Sequence, residues 1–268
     1  MSPYYLICAL AQGITEAFPI SSSFHFLLVS HWMEVPPPSK ALAAGLHLGS
    51  FLALMLIFRH DIGALFRGFF SLFSKKQTQE TIFFKTLCVS TCGLLGGIIL
   101  VYGMKTLFFS KYLFSLKALA ILYCLFALAL EAVNRWNKQC INQEPRSFPY
   151  GDAFIIGMGQ VLAMVCSGVS RLGITLTLGR GLGYSLLAAT RYSFIMGIPV
   201  LGASIVYSAP ELWTLDIGKT DFLIMTGATF LSSWPMIHVM LWFAQRGSTM
   251  PFTLYRLALG ACVLWMHG

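Results

Sequence analysis

Gln12-Gly13-Ile14-Thr15-Glu16-Ala17-Phe18-Pro19-Ile20-Ser21-Ser22-Ser23-Phe24-His25 puts a carboxylate, a proline, three serines and an imidazole inside a stretch, 3–33, that is otherwise apolar. Proline stops the first arm. Each arm is too short, and the stretch too polar, for a simple membrane span, which takes about 20 apolar residues. Apolar arms around a polar break read as a re-entrant helix hairpin. A second stretch, 152–182, has the same form and is broken by Ser167-Gly168-Val169-Ser170-Arg171.

The rest of the chain supplies the membrane that such hairpins require. It is 57% hydrophobic and 10% charged, against about 25% charged in soluble domains. With a mean hydropathy of +0.73, much of its surface must face lipid. The net charge of +8 does not indicate nucleic acid, because the basic residues sit in short loops between apolar runs, as topology determinants do. Cys88 and Cys92 lack the second pair or histidine of a zinc pattern. All seven cysteines read as small buried hydrophobes. The start lacks a basic n-region and is interrupted by Gln12, Thr15 and Glu16, so no cleavable leader is expected.

Six further stretches read as spans: 41–58, 86–104, 118–134, 184–207, 222–243 and 252–267. The expected fold is therefore all-α and polytopic, one transmembrane domain over 1–268. Each half reads as a broken hairpin followed by three spans, repeat 1 over about 1–134 and repeat 2 over about 152–268. A shift of 148 places Gln12 on Gln160 and Ser22 on Ser170. Three spans per half is odd, so the second half enters from the opposite side. That is an inverted repeat, which places its site at mid-membrane. Arg59, Arg67, Lys75, Lys76, Arg135, Lys138, Arg146 and Arg246 put the loops 59–81 and 135–151 and the loop at Arg246 inside. The acidic loop 208–221 suits the outside; the lysines of 105–117 run against the rule. Phe66, Phe69, Phe70 and Phe73 lay 62–73 along the membrane surface.

Chemistry concentrates at the two breaks. A carboxylate at membrane depth costs at least a few kcal/mol, so Glu16 calls for a partner, with Gln12 one turn away. Ser21, Ser22 and Ser23 can cap the following helix, whose free amides suit a phosphate oxygen. His25 can face Ser21 and Ser22 across one turn and act as acid, base or nucleophile. Arg171 follows Ser170, with Thr175 one turn on, and its fork matches a phosphate. An Arg171–Glu16 structural ion pair is the alternative, and it can open around a substrate. Glu16 suits a divalent cation, Mg²⁺ or Ca²⁺, whose shell a diphosphate completes, or a proton. His47 and His238 read as packed residues, Arg180 and Arg191 as snorkelling or paired locally, Glu131 as solvated and Arg256 as snorkelling.

The first motif resembles that of bacterial undecaprenyl-diphosphate phosphatases, the bacitracin-resistance family: Glu or Gln, three residues, Glu, then Pro-x-Ser-Ser-x-Gly-His. Ser167-Gly168-Val169-Ser170-Arg171-Leu172-Gly173-Ile174-Thr175 is similar to the second, Pro-Gly-x-Ser-Arg-Ser-Gly-x-Thr. Weaker likenesses are Leu46-His47-Leu48-Gly49, Tyr192-Ser193-Phe194 running to Pro199, and Pro251-Phe252-Thr253-Leu254-Tyr255-Arg256. Phe24, Ser167 and Leu172 depart from the pattern. Phe24 would narrow the site, and Leu172 removes one hydroxyl contact.

The resemblance implies hydrolysis of undecaprenyl diphosphate to the monophosphate with release of phosphate. That reaction recycles the carrier for cell-wall synthesis and lowers sensitivity to bacitracin. It implies a divalent cation and a bacterial inner-membrane site open to the periplasm. Glu16, Ser22, His25 and Arg171 would be catalytic and Glu16 the metal ligand. Gln12, Ser21, Ser23, Ser170 and Thr175 would bind substrate. Which of Ser22, His25 or water attacks stays open, as does a homodimer. The rival class is a transporter that flips the polyprenyl carrier, since inverted repeats suit it equally.

Overall fold

The structure is a computed structural model that describes residues 3–74, 78–103, 115–137, 148–214 and 217–266. Among the described residues there are eleven α-helices and no strand. They are α1 (Pro3–Glu16), α2 (Ser22–Trp32), α3 (Lys40–Ile57), α4 (Arg59–Ser71), α5 (Gln79–Gly103), α6 (Leu116–Trp136), α7 (Tyr150–Val165), α8 (Arg171–Gly181), α9 (Leu186–Thr214), α10 (Lys219–Gln245) and α11 (Met250–Met266). The chain is thus all-α and, on its apolar helices, a multi-pass membrane protein. By length and composition α5, α6, α9 and α10 can each cross a bilayer, and the bent pair α3–α4 makes a fifth. Helix α11 is apolar but shorter.

Both broken stretches are helix hairpins. Helix α1 stops at Glu16, ahead of Pro19, and α2 starts at Ser22; α7 stops at Val165 and α8 starts at Arg171. Helices α3 and α10 run in the same direction, since Gly45 lies beside Phe222 and Ser50 bonds Ser233. Helix α9 runs against them, with Leu212 at Gly45 and Phe194 at Phe58. Tyr4 of α1 reaches Pro36 just before α3 (3.0 Å), whereas α8 turns directly into the start of α9. The two hairpins therefore open toward opposite ends of the bundle, and their breaks meet inside it.

Small residues let these helices close. A methyl on Gly13 of α1 would meet the Thr229 carbonyl of α10 at 2.6 Å, and one on Gly157 of α7 would run into the backbone of Ser90 in α5. Each hairpin's first arm thus packs on a long helix of the other half, as small-residue interfaces do in lipid. Ala17 and Ile20 of the first break and Leu172 and Leu176 of α8 share the largest apolar cluster, so the breaks are buried.

Several expectations change. Helix α4 spans 59–71 and bends 80° from α3. It buries Asp61, Ala64 and Gly68, while Phe66, Phe69 and Phe70 on it and Phe73 just beyond it face outward, in line with the surface reading of 62–73. Helix α9 continues to Thr214, into the stretch read as an outer loop. Of the described cysteines only Cys8 is buried, while Cys88, Cys92 and Cys262 lie on the outside. In lipid an apolar side chain gains little by facing inward. Glu131 is only 13% exposed and accepts from Arg135 and Thr249 (2.6 Å each). Arg180 is buried and clamps α6, donating to Asn134 Oδ1 (2.8 Å) and Asn137 O (2.5 Å). Arg191 pairs with Asp61 at 3.3 Å. Lys75, Lys76, Lys105, Lys111, Lys138, Cys140, Arg146 and Asp216 lie outside the described residues.

Candidate active site

Each hairpin break frees backbone groups that lipid cannot satisfy. The first break and α11 satisfy three of them here. Ser21 and Ser23 both donate to the Ser167 carbonyl, at 2.5 and 3.1 Å. Arg256 of α11 donates from Nη1 to Pro19 O and from Nη2 to Gly168 O, each at 3.1 Å. This arginine is 1% exposed and lies 4.5 Å above the Tyr123 ring. It therefore does not snorkel: its fork spans the two breaks and holds them together.

The joined breaks gather the expected charges. Arg171, at the first position of α8, pairs with Glu16 Oε1 and also reaches Gly197 O at 3.4 Å. Glu16 Oε2 accepts from Ser22 Oγ at 3.0 Å and from Gln12 Nε2 at 3.2 Å. Only 12% of the Glu16 side chain and 24% of Arg171 are exposed, so the pair is desolvated. Removing one partner from such a pair costs about 3–5 kcal/mol. A small cleft opens beside Glu16, lined by Ala17, Ser50, Leu54, Phe194, Ser233 and Ile237. It joins the polar cluster to apolar helix faces.

His25 is held differently from its sequence reading. Its Nδ1 lies 2.8 Å from Ser21 O, which can only accept, so Nδ1 carries the proton. Its Nε2 lies 2.7 Å from the Tyr255 hydroxyl, and the two rings stack 5.7 Å apart. No bond joins His25 to Ser22; the Ser22 hydroxyl goes to Glu16 instead. Ser21 sits at the N-cap of α2 but makes no cap bond; its hydroxyl is turned to Ser167 O, to which it donates. The backbone pays for this with a φ of 62° at Ser21, a region that costs a non-glycine residue about 1–2 kcal/mol.

The remaining hydroxyls turn to their own helices. Ser170 caps α8 through Gly173 N at 3.1 Å. Thr175 donates back to Arg171 O and Leu172 O. Phe24 does not narrow the site: it is fully buried and stacks on Tyr123 at 4.3 Å. Leu172 packs into the main core. His238 bonds only within its own helix, at Trp234 O.

Three side chains acquire roles that sequence reasoning missed. His47 lies with its Nδ1 2.7 Å from Gln12 Nε2 and joins the Glu16 cluster. Tyr255 and Arg256 serve as described. All three stand in the weaker motifs quoted above, and that was the only signal available.

Among the described residues no three His, Cys, Asp or Glu side chains converge as a metal cage. The donors present do fit a cation carried in with phosphate. Glu16 offers a carboxylate, and Gln12 Oε1 is buried without a hydrogen-bond partner. One or two carboxylates plus substrate phosphates is a usual Mg²⁺ shell.

Comparison with known proteins gives the family. The profile of the family described as bacitracin resistance protein BacA matches residues 5–262. An undecaprenyl-diphosphatase of Maricaulis maris is 34% identical over 267 residues, covering 97% of this chain and 97% of its own. Those of Hyphomonas neptunium and Alteromonas mediterranea are 33% and 32% identical, each over 97% of this chain, and over 94% and 96% of their own.

Proposed function

The chain belongs to the bacitracin resistance protein BacA family, and from that membership, joined to the site geometry, we propose that it hydrolyses undecaprenyl diphosphate to undecaprenyl phosphate and inorganic phosphate. It is a membrane-embedded phosphatase whose substrate is a lipid. One observation carries the chemistry: a single carboxylate, Glu16, receives Arg171 on one oxygen and Ser22 on the other across two joined breaks.

Arg171 leaves Glu16 for the incoming diphosphate, with the amides at the starts of α2 and α8 beside it. Ser21, Ser23, Ser170 and Thr175 act through the backbone they hold. Ser22 Oγ attacks the terminal phosphorus and passes its proton to Glu16 Oε2. The bond to the bridging oxygen breaks, and undecaprenyl phosphate leaves with that oxygen. Water then cleaves the serine phosphoester. His25 Nε2, once Tyr255 yields it, takes one proton of that water and gives it up to the departing phosphate, and Glu16 returns its own to Ser22. Arg171 stabilises charge on the equatorial oxygens throughout. Glu16 and Gln12 Oε1 would hold Mg²⁺ or Ca²⁺, which when bound neutralises charge on the leaving phosphate.

In this reading the halves 1–134 and 152–268 form an inverted repeat in a bacterial inner membrane, the site facing the periplasm and the basic loops inside. The product returns to the carrier pool for cell-wall synthesis, which lowers sensitivity to bacitracin. The reading involves no nucleic acid and sets one site per chain; a homodimer would carry two. Phosphate release by purified protein in detergent tests it, because detergent leaves no second side for a transporter to serve. Release that stops on chelation and in Ser22→Ala is expected. Lipid binding without release from a folded sample would favour the flippase.

A further inference from the structure

The mechanism above makes no use of His47, yet this residue ends a chain of hydrogen bonds that reaches Ser22. Gln12 Nε2 lies 3.2 Å from Glu16 Oε2 and 2.7 Å from His47 Nδ1. Glu16, paired with Arg171, is a carboxylate and only accepts. The Gln12 amide must therefore turn its NH₂ toward Glu16, and the same nitrogen faces His47. Both hydrogens are then spent, one on Glu16 and one on His47, so His47 Nδ1 must be the bare nitrogen and Nε2 must carry the ring proton.

The opposite tautomer breaks the arrangement. A proton on Nδ1 would require the Gln12 oxygen in that place. The oxygen would then stand 3.2 Å from the Glu16 carboxylate, acceptor against acceptor. With Nδ1 bare, His47 holds the buried amide in the orientation that Glu16 requires. It also leaves Gln12 Oε1 without a protein partner. His47 itself lies 3.9 Å from Glu16 Oε2, too far for a bond of its own, and it acts through Gln12 alone.

We propose that His47 is a positioning residue for the reaction: through Gln12 it fixes the Glu16 oxygen against Ser22 Oγ and keeps Gln12 Oε1 open as the spare acceptor of the site. This rests on the reading of Glu16 as the base for Ser22.

The test is a double-mutant cycle on purified protein in detergent, with kcat and KM for the lipid diphosphate and thermal unfolding as readouts. In His47→Leu, kcat falls about ten-fold, the effect of one lost orienting bond, while KM moves less than about two-fold. His47→Asn puts an acceptor oxygen where Nδ1 stood and recovers most of that loss. The pair His47→Leu with Gln12→Leu is no slower than Gln12→Leu alone, because the two act as one unit. His47→Phe keeps the ring without its nitrogens and reads the same loss if His47→Leu does not stay folded. Losses at His47 and Gln12 that multiply, a change confined to KM, or Asn as slow as Leu each overturn the proposal. Glu16→Gln is the control: if it still turns over, the base reading itself has failed. If it is inactive while the His47 and Gln12 losses multiply, only the role of His47 is lost.

Discussion

Replacing Arg171 by Ala should do two separable kinds of damage. The first is to stability. Arg171 is the one cation bonded to Glu16, whose side chain is 12% exposed. Breaking a buried pair from one side costs about 3–5 kcal/mol, chiefly because a desolvated charge is left behind. Ser22 and Gln12 still donate to Glu16, which puts the expected loss near the lower bound, about 3 kcal/mol. The second is to turnover. Removing a preorganised donor from a developing oxyanion costs about 10²–10³ in kcat. The double variant Arg171→Leu with Glu16→Gln separates the two, because it removes both charges. It should recover most of the lost thermal stability and none of the phosphate release. Unfolding in detergent and a phosphate assay on the same samples read both. Normal turnover in Arg171→Ala, or a double variant as unstable as the single, would refute the reasoning.

Tyr255→Phe removes the hydroxyl that caps His25 Nε2 at 2.7 Å. Carbethoxylation of His25, followed by mass spectrometry, should speed up about five-fold, the equivalent of one hydrogen bond, while His238 reacts at its former rate. Arg256→Met keeps bulk but orphans the Pro19 and Gly168 carbonyls. The expected cost is about 3 kcal/mol, read as a lowered unfolding temperature together with lost turnover; unchanged stability would mean the breaks are held by something else.

The hairpins and the long helices were legible because lipid enforces a crude rule. An apolar arm interrupted by Pro19 or by Ser167-Gly168 cannot be a plain span, and the helices start and stop at those places. Glu16, Arg171, Gln12 and Ser22 were legible because each is costly where it stands. Apart from the Arg171–Glu16 pair, contacts between residues far apart in sequence were not. Helical spacing alone put His25 near Ser22, but the rotamer takes its ring to Tyr255, 230 positions away. Arg256 looked able to snorkel because its place near a helix start says nothing about which neighbours surround it. Serines that normally cap helices gave up that bond at Ser21 for one across the hairpin interface, and no local pattern encodes that exchange.

The same exchange explains why this site needs both halves of the chain. A single re-entrant hairpin leaves open carbonyls and amides in a medium where each costs several kcal/mol. The first break lends two hydroxyls to Ser167 O, and α11 lends one guanidinium to both breaks. The Ser167, Pro19 and Gly168 carbonyls are thereby satisfied. Two helix starts, those of α2 and α8, beside carbonyls already paired off suit an anion in the proposed reading. Glu16 is a carboxylate kept inside the site beside the unpartnered Gln12 Oε1, and Arg171 is the cation paired with it. In the proposed reading the anion preference comes from how the fold settles its broken backbone, and Glu16 and Ser22 turn binding into hydrolysis.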